Sequence, residues 1–189
     1  MIMPDNNDIP ARGKILISKP SLSDGFFARS VVLLVDHNAE GSFGFVVNKP
    51  SEVKLNEITT EFGSKDLRVF LGGPVMMDNL YYLHTRGNDI RNSVPVINGL
   101  WWGGDLEIVK ELLLSGNLQP GEIRFYIGYS GWSPKQLDRE LSENAWIVRK
   151  AEMQHVWTKA PALLWRRLVL SFGKHYAFWV NHPTDPSLN

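Results

Sequence analysis

Cysteine is absent from all 189 residues. That excludes disulfides, thiol nucleophiles and thiolate metal sites, and it fits a reducing compartment. An excess of either charge is also missing. Lysine plus arginine and aspartate plus glutamate number 20 each, so no global field draws the chain to nucleic acid or an anionic membrane. No apolar run approaches the roughly 18 residues of a membrane span. The opening MIMPDNNDIPARGK is polar, carries two aspartates and has no apolar centre, so it is not read as a signal peptide. Repeats, low-complexity tracts and linkers are lacking too. These absences leave a cytoplasmic chain with one domain over residues 13–182 and polar tails at 1–12 and 183–189. A chain of this length buries about 70% of its unfolded surface.

What is present alternates strand and turn chemistry. GKILIS, SVVLLVD, SFGFVVN, RVFLGG, LYYLH, SVPVIN, IRFYIG and AWIVRKA read as strands, bounded by glycine, proline and polar residues. SVVLLVD and SFGFVVN form an antiparallel hairpin across HNAEG, stopped at Pro50. Leu55, Ile58 and Phe62 fall at helical spacing before Gly63. Asp105 caps a helix ending at Gly116, PKQLDRELS is a second helix, and PALLWRRLVLSFG a third, with proline first and glycine last. HYAFWV is expected as a closing strand. Early strands mixed with three to four helices indicate α+β.

GYSGWSPKQ poses the chief functional question. A nucleophile elbow needs G-x-S-x-G, and Trp132 stands where the second glycine belongs. Ser133, Pro134 and Gln136 instead fit N-cap, N1 and N3 of a capping box, with Trp132 and Leu137 as its hydrophobic staple. Ser130 lies three residues upstream of that cap. Turn and cap chemistry therefore accounts for more of these residues than catalysis does.

Other constellations have similarly plain readings. Gly99 to Gly104 has phosphate-loop spacing, but Asp105 and Leu106 replace the required lysine and hydroxyl. Asp36-His37 ends the most apolar strand, where a histidine beside a carboxylate is either a tuned base or a polar strand end. The hairpin places Arg29, Ser30 and Asn48 at one end: a polar pocket, or an arginine satisfying loop carbonyls. Gln136 and Glu140 share a helix face, with Glu140 read as solvated. From 149 to 175, Arg149, Lys150, Lys159, Arg166, Arg167 and Lys174 face only Glu152, with Trp157 and Trp165 interleaved. That is either a nucleic-acid surface or a solvated basic face with Trp165 in the core.

GKILISKPSLSDGFFARSVVLLVDH, GSFGFVVNKP, FLGGPV, GLWWGGDLE and GYSGWSPKQLDRELSENAW, in that order, together resemble the YqgE/AlgH family. The resemblance runs from about Gly13 to Trp146 and continues weakly to the end. It implies a bifurcated mixed sheet, partly curled into a small barrel, surrounded by helices. It supplies no reaction. The AlgH name reflects a proposed role as a transcriptional regulator in a bacterial polysaccharide pathway, yet no helix-turn-helix signature is present. A thiol switch could not operate in a cysteine-free chain.

The leading reading is a non-enzymatic binding or regulatory protein acting through a protein or small-molecule partner, with no cofactor, no metal and no membrane association. Its expected site gathers Arg29, Ser30, Asp36, His37, Asn48 and Ser130 in one pocket. The alternatives are a hydrolase using His37 or Ser130, and a nucleic-acid-associated regulator using the basic segment through Arg149, Lys150, Arg166, Arg167 and Lys174.

Overall fold

A computed structural model describes residues 8–20, 22, 25–63 and 66–181. The expected C-terminal tail, residues 1–7 of the N-terminal one and His182 lie outside the described residues. Among the described residues, ten strands and six α-helices follow in the order β1 (Lys14–Ser18), β2 (Val31–Asn38), β3 (Gly41–Val46), β4 (Pro50–Lys54), α1 (Leu55–Ile58), β5 (Arg68–Leu71), β6 (Val75–His84), β7 (Val94–Ile97), β8 (Leu100–Trp102), α2 (Leu106–Leu114), β9 (Ile123–Trp132), α3 (Gln136–Ser142), β10 (Trp146–Lys150), α4 (Met153–Val156), α5 (Leu164–Ser171) and α6 (Ala177–Asn181).

Hydrogen-bonded order runs β10-β1-β2-β3-β9-β6-β8-β7, and β5 leaves this path as a parallel neighbour of β9, carrying β4 beyond it. The fork is at β9. Its last residues pair with β3 through Ser42↔Trp132 and Gly44↔Ser130, while its first half runs between β6 and β5. The result is the bifurcated mixed sheet of an α+β domain. The sheet curls until Gly13 meets β7, where an added Cβ would lie 2.7 Å from the Val96 carbonyl oxygen. Its ladder stays open between β10 and β7.

Alternation explains why β1, β2 and β10 read as unbroken apolar runs. Odd residues Ile15, Ile17, Val31, Leu33 and Ile147 enter a core completed by α5 and α6. Even residues Leu16, Val32, Leu34, Trp146 and Val148 enter a second core under α3. A strand buried on both faces has no polar alternate. A third core holds Leu55, Phe62, Val69, Phe125, Val109 and Leu113 beneath α2.

Four local expectations need correction. The helix expected from Leu55 to Phe62 is one turn, because Thr59 is extended (φ −155°), although Phe62 is buried and Gly63 has φ +77°. Pro50 does not stop the hairpin but opens edge strand β4, where its missing N–H costs no ladder bond. α3 begins at Gln136 and not at Pro134, since Lys135 takes φ 62°. The cap is partly as expected: the Ser133 amide donates to Gln136 Oε1 at 3.0 Å. HYAFWV forms a 3-10 turn and α6, which bury Tyr176, Trp179 and Val180.

Candidate functional site

The β2–β3 hairpin carries most of the expected site, but at two separate ends. At the open end, Arg29 adopts a left-handed φ of 54°. Its guanidinium donates to the Val180 carbonyl at 3.1 Å and lies 5.5 Å from the Trp165 ring centroid. Asn48 is buried. Its Oδ1 accepts from the Val31 amide at 2.7 Å, and its Nδ2 donates to the Arg29 carbonyl at 2.9 Å. The Ser30 amide donates to Ser18 Oγ at 2.8 Å, and the Ser30 hydroxyl donates to the Phe26 carbonyl at 3.3 Å. Arg29, Ser30 and Asn48 do meet. They form a lock that satisfies loop backbone where β2 begins.

Asp36 and His37 sit at the other end. β2 is 8 residues long, which separates them from Arg29 by roughly 25 Å at about 3.3 Å per residue. A bulge between Leu34 and Asp36 shifts the register just before them. Asp36 accepts from Arg12 at 2.9 Å and from Asn38 Nδ2 at 3.0 Å. His37 Nδ1 shares a proton with Ser42 Oγ at 2.8 Å.

Ser130 belongs to neither end. β9 was expected to stop at Gly128, but it runs on to Trp132 because β3 supplies a partner on one side and Val75 on the other. Ser130 therefore lies mid-strand, 0% exposed, and its hydroxyl donates to the Gly72 carbonyl at 3.0 Å. The six residues expected to share a pocket occupy three places, because the length of β2 and the continuation of β9 hold them apart.

Two concavities flank the hairpin tip. One, of about 470 Å³, is walled by Phe43, Tyr129 and Trp132 with Asp36 and Glu40 at its polar side. Phe43 and Tyr129 lie 4.7 Å apart by ring centroid, and Tyr81 joins them at 6.1 and 5.7 Å. Tyr81 also reaches the sulfur of Met76, which is exposed beside Met77. The other, of about 330 Å³, lies between His37 and Lys135.

The strand-to-helix stretch after Ser130 holds a polar contact that sequence reading misses. Glu140 Oε2 accepts from both Trp132 Nε1, at 2.8 Å, and Trp146 Nε1, at 2.7 Å. Its Oε1 accepts from Gln136 Nε2 at 3.0 Å. The residue read as solvated clamps two buried indoles. No local spacing signals it, because Trp132 ends β9 and Trp146 opens β10, and α3 brings Glu140 to both.

Set beside known proteins, residues 15–177 match the model of the AlgH-like family. The chain belongs to the AlgH-like family. A UPF0301 protein of Bacteroides fragilis is 45% identical over 185 residues, covering 97% of this chain and 94% of the relative. A UPF0301 protein of Chlorobaculum tepidum is 40% identical, covering 99% of this chain and all of the relative (100%). The solution structure of the AlgH protein from Pseudomonas aeruginosa superposes with a TM-score of 0.73 at 24% identity, covering 97% of this chain and 98% of that one. At that identity the likeness carries the fold alone.

In this AlgH-like chain the basic segment is less suited to nucleic acid than its composition implies. Trp165 is buried and donates from Nε1 to the Ser18 carbonyl at 2.8 Å. Trp157 lies beneath Arg124, 5.2 Å from its ring centroid. Trp165 is therefore no stacking platform, and the Arg124 cation already covers the Trp157 ring. Arg149 covers Phe172 at 5.2 Å, while Lys150, Arg166, Arg167 and Lys174 are exposed. Among the described residues, no group of three or more histidines and carboxylates is arranged to hold a metal ion, and no helix is long and apolar enough to cross a membrane.

Proposed function

We propose that this AlgH-like chain is a non-enzymatic binding protein with a regulatory role in the cytoplasm. One observation carries the reading: the Ser130 hydroxyl is sealed in the sheet and given to the Gly72 carbonyl. A nucleophile needs a base within hydrogen-bond reach and an oxygen that substrate can touch; among the described residues Ser130 bonds a carbonyl and no base, and it is buried. His37 is bonded to Ser42, and His84 is buried against the Gly103 carbonyl. The concavity at the hairpin tip supports a recognition role instead. It joins aromatic walls to two carboxylates beside exposed Met76 and Met77, and flexible thioethers next to rings suit surfaces that adapt to a partner.

Screening against a panel of ester and phosphate substrates tests the reading. Silence across the panel is expected. Turnover that disappears in either Ser130→Ala or His37→Ala, with folding retained, would overturn it and restore a hydrolase.

A further inference from the structure

The segment after β10 builds a concavity of about 450 Å³, apart from the hairpin tip, between α4 and its following loop on one side and α5 on the other. Its walls divide cleanly by chemistry. Trp157, Leu164 and Leu168 give apolar surface, while His155, Lys159 and Arg167 give polar groups.

Those polar groups are donors. Arg167 directs one guanidinium nitrogen at Thr158 Oγ1, 2.6 Å away, and Thr158 is buried. That contact fixes the fork, and among the described residues most of its five N–H groups have no further protein partner. Lys159 makes no hydrogen bond among the described residues, and no carboxylate there pairs with either cation. His155 Nδ1 accepts the Glu152 amide at 3.0 Å, so a neutral ring carries its proton on Nε2 and that nitrogen donates. The neutral form is favoured: burial first, and the Arg167 charge last, draw its pKa below the ordinary 6.5 against the opposing pull of Glu152.

Two cations that pair with no carboxylate among the described residues, and a neutral N–H, line one concavity with a tryptophan and two leucines; Glu152 acts on His155, and the set describes a site for an anion that carries an apolar body. We propose that this concavity binds small organic anions, a carboxylate or phosphate group borne on a ring-sized apolar moiety, with Arg167 and Lys159 holding the charged end and Trp157 and Leu168 the apolar end. Its volume lies within the range of small-molecule sites. The proposal does not depend on the role assigned to the hairpin tip. It also gives part of the basic segment a bounded site in place of an open face.

Phenylacetate and phenyl phosphate are the probes, with phenethyl alcohol as the uncharged comparison, each titrated into the full chain by calorimetry and heteronuclear NMR. Both anions should bind saturably, weaken with added salt and shift the amides of 154–171, while the alcohol binds at least tenfold more weakly. Arg167→Met, which retains the apolar stem, should weaken anion binding at least tenfold. Lys159→Met should weaken it severalfold, and it serves as the independent variant should loss of the Thr158 contact unfold the first. Arg166→Met, exposed on the same helix, should bind as the parent does. Equal affinity for the alcohol, indifference to both Arg167→Met and Lys159→Met, or no saturable binding at millimolar probe would each overturn the proposal. So would an oligonucleotide that binds tightly and loses affinity equally on neutralising Arg149, Lys150, Arg166, Arg167 or Lys174, since that outcome describes an open basic face.

Discussion

Replacing Glu140 with alanine tests the central structural claim, that the glycine- and tryptophan-rich stretch before α3 shapes backbone and core. The Glu140 carboxylate is the acceptor for the indole N–H of Trp132, 5% exposed, and of Trp146, 0% exposed. Both rings pack in the core under α3, with centroids 6.0 Å apart. Alanine leaves two buried donors without that partner. Each orphaned donor costs about 1–3 kcal/mol, so the expected loss is about 4 kcal/mol. At about 2–4 °C per kcal/mol for a chain of this size, the thermal midpoint should fall by about 8–16 °C. Glutamine keeps an acceptor oxygen but loses the charge assistance, and should cost about 1–2 kcal/mol. Urea unfolding followed by tryptophan fluorescence and circular dichroism gives both values, with an unchanged denaturant slope confirming two-state comparison. In a Trp132→Phe background the same alanine substitution should cost about 1–2 kcal/mol less, because one donor is already gone. A Glu140→Ala protein within about 0.5 kcal/mol of the parent, the range of unremarkable surface changes, would refute the clamp and return Glu140 to the solvated face.

Asn48→Ala should cost about 2–4 kcal/mol by urea unfolding, since it orphans the buried Val31 amide and the Arg29 carbonyl together; a loss below about 0.5 kcal/mol would show that the loop finds other partners. His84 should make stability fall on the acid side. Burial, the larger effect, lowers its pKa from 6.5 against the opposite influence of the Gly103 carbonyl. The unfolded chain therefore takes up a proton below pH 6.5 that the folded chain refuses, so this contribution is complete above that pH and is lost as pH falls toward the depressed value. Unfolding midpoints from about pH 7.5 to about pH 5 should decline less steeply in His84→Gln, with a residual slope from His155, which is shifted in the same direction. An unaltered slope would remove His84 as its source.

How much of this was legible beforehand depends on how locally each feature is determined. Helix α2 could be read to its ends, because Asp105 caps it by accepting the Glu107 amide at 3.1 Å and Gly116 follows it at φ 78°. The start of β2 and its return strand were equally plain, as was the meeting of Arg29, Ser30 and Asn48 at the hairpin's open end. The length of β9 was not, because Gly128 looks like a stop and only the pairing of β3 carries the strand past it. The last helix was misread by attending to alternation. Tyr176, Trp179 and Val180 stand at i, i+3 and i+4, the spacing that their burial against α5 requires.

The expected site failed for a physical reason that also says where to look. Serine, asparagine and histidine at strand ends resemble catalytic groups because both roles call for short polar side chains. In a sheet buried on two faces, the first demand on such groups is the backbone they interrupt. Ser130, Asn48 and His84 are each spent on a carbonyl or amide, and the carboxylate of Glu140 is spent on two indoles. Among the described residues, the Glu40 carboxylate lines the concavity at the hairpin tip, and Lys159 and Arg167 line the one beside α5. Recognition calls for donors and acceptors next to apolar surface; the two concavities offer both, whereas Ser130 is buried with its hydroxyl given to the Gly72 carbonyl.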